Sequence, residues 1–287
     1  MARVTTILSI QSSVAYGHVG NSAATFPLMR MGVELWPVIT VHFSNHTGYG
    51  EWRGPLLSGS DVADVVRGID ERGVLGRCDA VLSGYQGAAD VGSVILDTVA
   101  LVRSRNPAAV YCCDPVLGDV GRGFFVRPGI PELMRDRVVP AAQVVTPNQF
   151  ELDYLSGQQT STLDQVLAAS DSLRASGPDT VLVTSVVHQA AQPDSLDMVA
   201  VSGDGAWSVT TPLLPRAFQG AGDLTAALFL AHLLESDDAG LAVSRTAAAV
   251  YGVLKATIES GEAELRLVAA QDEFVRPSTS FPAVRLR

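Results

Sequence analysis

The chain has 287 residues, 47% of them hydrophobic and 17% charged, with 26 Gly and 15 Pro spread along it. That composition belongs to a globular protein with a sizeable core, not to a disordered or collagen-like chain. The 20 basic and 30 acidic residues give a formal charge of −10, and no basic run occurs, which argues against binding nucleic acid or an anionic membrane.

Lys255 is the only lysine. A Walker-type phosphate loop is therefore absent, and a Schiff-base lysine would have to be Lys255, which has no motif around it. The cysteines, Cys78, Cys112 and Cys113, fit neither a disulfide framework nor a zinc site, and read as buried reduced thiols. Met1–Arg3 runs straight into a strand-like segment, without a signal peptide. The longest helical apolar stretch, Leu224–Leu234, is too short to span a bilayer. The expectation is a soluble, cytoplasmic protein.

Short apolar runs alternate with amphipathic ones. Val4–Ile10, Leu35–Val41, Ala80–Ser83, Ala109–Cys113, Gln143–Thr146 and Thr180–Thr184 read as buried strands bounded by turn residues. Asn21–Met31, Asp61–Arg72, Asp90–Arg105 and Thr162–Ser176 carry apolar residues at helical spacing. Asn106-Pro107 and Gly177-Pro178 are helix stops. Met198–Ser202 and Ala206–Thr210, joined by Gly203-Asp204-Gly205, read as an antiparallel hairpin. Asp223–Gly261 is mainly helical. The pattern predicts a three-layer α/β/α fold around a mostly parallel sheet, in a single domain over residues 1–287.

Ligands of such sheets bind beyond the carboxyl ends of the strands. After the first strand, Gln11–Asn21 offers polar groups and two glycines, or is simply a turn into a helix. After the second, His42–Gly50 is dense in His, hydroxyl and aromatic groups suited to a flat heteroaromatic ligand. A metal site at His42 and His46 would need a helix that the segment does not form. Tyr85, between glycines, closes over a ligand or anchors a turn. Asp114, at the end of the fourth strand, suits a metal or phosphate-bound cation, or is a turn residue. The Gly-rich stretch Asp119–Gly129 could be a flap that shields phosphoryl transfer from water.

Thr146-Pro147-Asn148-Gln149-Phe150-Glu151 has capping-box spacing. Glu151 could also face the crevice of Asp114, where two acids would hold Mg²⁺ partly through waters. The sharpest signal is Gly220-Ala221-Gly222-Asp223 opening an apolar helix. Unpaired N–H groups and the helix dipole favour an anion there. Asp223 is a general base for a hydroxyl nucleophile, or a helix cap.

Several pieces stand in a telling order. They are Ser9-Ile10-Gln11-Ser12, Gly17–Asn21, Phe43–Tyr49, Leu82–Tyr85, Cys113–Asp119, Thr146–Glu151 and Gly220–Asp223. Together they resemble the pyridoxal kinase family of the ribokinase-like superfamily over nearly the whole chain. Phe43–Tyr49 and Cys113–Asp119 carry the resemblance most specifically.

The resemblance implies ATP-dependent phosphorylation of the 5′-hydroxymethyl group of pyridoxal, and of related B6 vitamers, in vitamin salvage. By position it implies that Ser12 bonds the pyridine ring, Thr47 and Gly48 contact its substituents, and Tyr85 lies against it. Asp223 would activate the hydroxyl, with Gly220, Ala221 and Gly222 as the anion hole. Asp114 and Glu151 would serve Mg²⁺ and the triphosphate, with Thr146 and Thr184 nearby. Thr211, Pro212, Leu213 and Leu214 would border the ATP nucleotide. A monovalent cation such as K⁺ and a homodimer are also implied. Ala221 departs from the frequent Gly-Thr-Gly-Asp motif and loses a hydroxyl while keeping the backbone donors. The alternatives are a hydroxymethylpyrimidine kinase of the same fold and a non-catalytic B6-binding protein. A Rossmann oxidoreductase lacks its glycine fingerprint here.

Overall fold

In the computed structural model, which describes residues 4–287, the apolar runs assemble into one nine-stranded sheet. The predicted run of Met1–Arg3 into the first strand lies outside the described residues. In chain order the first elements are β1 (Thr6–Val14), α1 (Asn21–Arg30), β2 (Glu34–Phe43), α2 (Gly59–Glu71), β3 (Ala80–Ser83), α3 (Ala89–Arg105) and β4 (Val110–Cys113). A small hairpin, β5 (Gly118–Asp119) and β6 (Gly123–Phe124), follows. Next comes an irregular helix made of α4 (Ile130–Leu133), a π turn and α5 (Val139–Ala141). The chain continues with β7 (Val144–Val145), α6 (Gln149–Ser156), α7 (Leu163–Ala175) and β8 (Thr180–Val186). It ends with β9 (Ser195–Ser202), β10 (Gly205–Pro212), α8 (Ala221–Ser236), α9 (Ala239–Ser260) and β11 (Val284–Arg285).

The sheet order is β11-β10-β9-β8-β7-β4-β3-β1-β2. From β2 to β8 every pairing is parallel, and β9, β10 and β11 add an antiparallel edge. Alternate residues of each strand face opposite sides. Leu8, Val81, Tyr111, Val145 and Val181 pack with α2, α3, α6 and α7. Ile7, Leu82, Cys112, Val144 and Leu182 pack with α1, α8 and α9. Both faces are thus covered, which is why the central strands read as continuous apolar runs. The three cysteines are free and buried in these layers.

Helix boundaries follow local chemistry. Ser58 and Asp61 form a capping box, so α2 starts at Gly59 and not at Asp61. Thr162 and Gln165 do the same for α7. The expected hairpin is present but longer, and Gly205 belongs to its second strand, leaving Gly203-Asp204 as the turn.

The first strand departs from expectation. Val4 and Thr5 lie outside it, while Gln11–Val14 are inside it and not in a following loop. Ser13 and Val14 continue to pair with His42 and Phe43 after a register shift. Those two second-strand residues also extend β2 beyond Val41. The sequence pattern did not signal β5, β6, β11 or the irregular helix, whose two prolines, Pro131 and Pro140, interrupt any regular period. No helix among the described residues is long and apolar enough to cross a membrane.

Candidate active site

The carboxyl ends of the parallel strands open on one edge of the sheet, where ligands of such folds bind. The N-terminus of α8 meets that edge. Gly220 is its N-cap, at φ 83°, and a Cβ there would collide with the His18 carbonyl. Only glycine allows both that dihedral and that approach. A Cβ at Gly222 would instead meet nothing within 4 Å, so the first turn leaves an open face for a ligand. Asp223 follows in the same turn and accepts from the backbone N–H groups of Gly20 and of its own residue. It therefore ties α8 to the start of α1, and it also faces space on both sides.

Two cavities meet at Asp223. The larger, about 330 Å³, is lined by Asp114, Thr146, Glu151, Thr184, residues 211–214 and residues 220–223. The smaller, about 110 Å³, is lined by Ser12, Thr47 and Tyr85 together with Val19, Val41, Phe43 and His46. Val116, Phe125, Gln219, Gly220 and Asp223 border both. The structure thus brings together the residues expected from sequence and divides them into two sets. Gly48 lines neither cavity; it lies against the His46 ring and the Gln219 side chain.

The larger cavity is acidic. Asp114 is buried, and its carboxylate accepts from the Thr146 hydroxyl at 3.0 Å. The strand register sets this pair, because Cys113 is opposite Val145 and each chain continues one residue further. Burial pushes the Asp114 carboxyl well above the usual range, and Asp223 and Glu151 push it in the same direction. Glu151, also buried, rises to about 8 through burial.

Glu151 completes a capping box and also lines the cavity of Asp114. One oxygen accepts from the Asn148 N–H at 2.9 Å, completing the capping box. The other accepts from the Leu117 N–H at 2.8 Å and the Gly118 N–H at 3.4 Å, which holds the loop after Asp114 in place. Burial also raises Asp223, the direction that suits a base working near neutral pH.

The segment Thr47–Tyr49 forms a single 3₁₀ turn. Its neighbour His46 bonds Glu264 through Nε2 at 3.0 Å, while His42 is an exposed residue of β2. Sequence reasoning missed Val19, Val41, Val116 and Gln219 as lining residues. Gln219, immediately before the Gly-rich turn, carried a positional signal. The valines carried none, because a wall residue looks like any core residue.

A family model described as phosphomethylpyrimidine kinase matches residues 67–267. The chain is 60% identical over 281 residues to pyridoxal kinase PdxY of Rubrobacter xylanophilus, covering 98% of this chain and 97% of the relative. It is 55% identical over 280 residues to pyridoxal kinase PdxY of Leifsonia xyli, covering 98% and 99%. The solved structure of pyridoxal kinase from Leishmania donovani in complex with ADP and pyridoxine superposes with a TM-score of 0.92 at 31% identity, covering 98% of this chain and 99% of that one. A sheet edge with paired cavities, a Gly-rich helix start and near full-length likeness agree: this chain belongs to the pyridoxal kinase family.

Proposed function

We propose that the chain, acting as one domain, transfers the γ-phosphoryl group of ATP to the 5′-hydroxymethyl group of pyridoxal. The observation that carries this reading is the position of Asp223 between a small ring-sized cavity and a larger acidic one. The small cavity takes the pyridine ring, with Ser12 bonding the ring edge, Thr47 at the substituents, and Tyr85 against the ring face; Gly48, which lies behind against His46 and Gln219, is not a contact. The larger cavity takes ATP, with Thr146, Thr184 and residues 211–214 along it.

Asp223 accepts the proton of the 5′-hydroxyl. The hydroxyl oxygen bonds to the γ-phosphorus, and the bridging P–O bond to the β-phosphate breaks. Pyridoxal 5′-phosphate and ADP result, with the proton on Asp223 passing to solvent. First-turn N–H groups at Gly220–Gly222 stabilise charge on the phosphoryl group in transit. Ala221 suffices there because backbone donors do this work. The hairpin of β5 and β6, with Phe125 on both cavities, excludes water.

The donor set fits Mg²⁺. Asp223 and Glu151 add to burial in raising the proton affinity of Asp114, a repulsion that a cation would relieve, yet no three metal-ligating side chains converge among the described residues. Asp114 would hold the ion beside phosphate oxygens, and Glu151 through water. Bound Mg²⁺ would neutralise the phosphates. A K⁺-type activator, a homodimer and a cytoplasmic setting complete the reading as expectations of the family.

Hydroxymethylpyrimidine is the second reading, favoured by the description of the matched family model. The relatives at 60% and 55% identity, matched over 98% of this chain, are named pyridoxal kinase, so pyridoxal is preferred. The deciding assay incubates the protein with Mg-ATP and either pyridoxal or hydroxymethylpyrimidine, and follows each phosphorylated product. Mg²⁺-dependent pyridoxal 5′-phosphate is expected. Turnover of the pyrimidine alone would replace the substrate, and pyridoxal binding without product would leave a B6-binding protein.

A further inference from the structure

One carboxylate outside the catalytic turn joins the two loops that flank the ring cavity. Glu264 lies in the segment after α9, and its side chain is 12% exposed. Its Oε1 accepts from His46 Nε2 at 3.0 Å and from the Tyr49 hydroxyl at 2.7 Å. Its Oε2 accepts from the His18 N–H at 3.2 Å. These donors come from the loops after β1 and β2, which carry Val19 and Thr47 into the ring cavity.

The approach is close enough to dictate a neighbour. Gly17 has φ 91°, and a Cβ there would collide with the Glu264 carboxylate. The His46 ring stacks on Tyr49 at 4.6 Å, so the two Oε1 donors also pack against each other. With Nε2–H donated to the carboxylate, His46 Nδ1 is left without a protein partner, on a residue that lines the cavity.

The next residue anchors the segment from behind. Leu265 is buried in a cluster with Phe218, Leu224 and Leu228, beside the start of α8. A bond to a carboxylate is roughly twice as strong as one between neutral groups, so three on one side chain fix both loops relative to that helix.

We propose that Glu264 is a positioning residue for the acceptor substrate, holding the loops after β1 and β2 in their ring-binding arrangement against the start of α8. The proposal rests on the reading that the small cavity takes the pyridoxal ring.

The test uses the full chain with Glu264→Ala, Glu264→Gln and Tyr49→Phe. Steady-state kinetics are measured for both substrates, and hydrogen exchange of residues 44–50 without ligand. Glu264→Ala is expected to raise KM for pyridoxal about tenfold, with kcat and KM for ATP within about twofold. Exchange of residues 44–50 should quicken. Glu264→Gln keeps an oxygen for His46 and Tyr49, so KM should return to within about threefold of the parent; Tyr49→Phe should cost about threefold.

Unchanged exchange and unchanged KM in Glu264→Ala would overturn the proposal. So would an equal rise in both KM values with a lowered Tm, which marks a general loss of structure. Should Glu264→Ala not fold, Tyr49→Phe decides by the same split. A parent protein that does not turn over pyridoxal sinks the ring reading separately, while the exchange measurement still judges the latch.

Discussion

The two cavities that meet at Asp223 are built by different means. The smaller cavity, proposed for the ring, has apolar walls from β1 and β2 and a loop tied down by Glu264. The cavity proposed for ATP has about three times the volume and holds the buried acids. Its outer wall comes from the antiparallel edge and from the residues after β10. Specificity for a flat ring needs a rigid, snug shape. A triphosphate with its cation needs room, water and charge. The same sheet edge supplies both because parallel strands end together there, while different strands and loops wall each one.

The sharpest way to break this contrast is to remove what the cavities share. Asp223→Asn should lower kcat about a thousandfold, with both KM values nearly unchanged, as for loss of a general base. Near-normal turnover would take Asp223 out of the role of base. Asp114→Asn acts on the larger cavity alone. It should lower kcat/KM for Mg-ATP about a hundredfold while leaving pyridoxal affinity, measured by titration, at its parental value.

A probe outside both cavities is His232 in α8, whose pKa burial holds down to about 4. Its cost to folding is absent above the usual His value of 6.5, grows as pH falls through it and is complete below about 4. Urea titrations of the parent and His232→Gln should differ by about 2 kcal/mol in the stability lost between pH 7 and 5. Identical pH dependence would show that folding leaves the His232 pKa unshifted. Ser12→Ala is the mildest change: KM for pyridoxal should rise about fivefold and KM for ATP should hold, as for one lost hydrogen bond. An equal change in both would erase the division between the cavities.

Much of this site was legible from the chain. Gly220–Asp223 announced itself because a Gly-rich turn before an apolar helix is a local signal. The strands with Asp114 and Thr146 at their ends were readable because continuous apolar runs mark a doubly covered sheet. Ser12 was placed in a loop although it lies in β1, since the strand's extension depends on pairing with His42 and Phe43. Glu151 presented two readings because its Asn148 partner is local and its Leu117 and Gly118 partners are not.

The fold class was thus legible in local patterns and spacing, and the family in the resemblance of the ordered motifs to pyridoxal kinases. Tertiary structure decided which residues share a cavity, that Asp223 stands at the junction, and that Glu264 reaches His46 across 218 positions. The physical reason is range. Capping, turn chemistry and side-chain periodicity act within a few residues. Desolvation of an acid and convergence of distant donors arise only when the packed sheet and helices bring remote segments together.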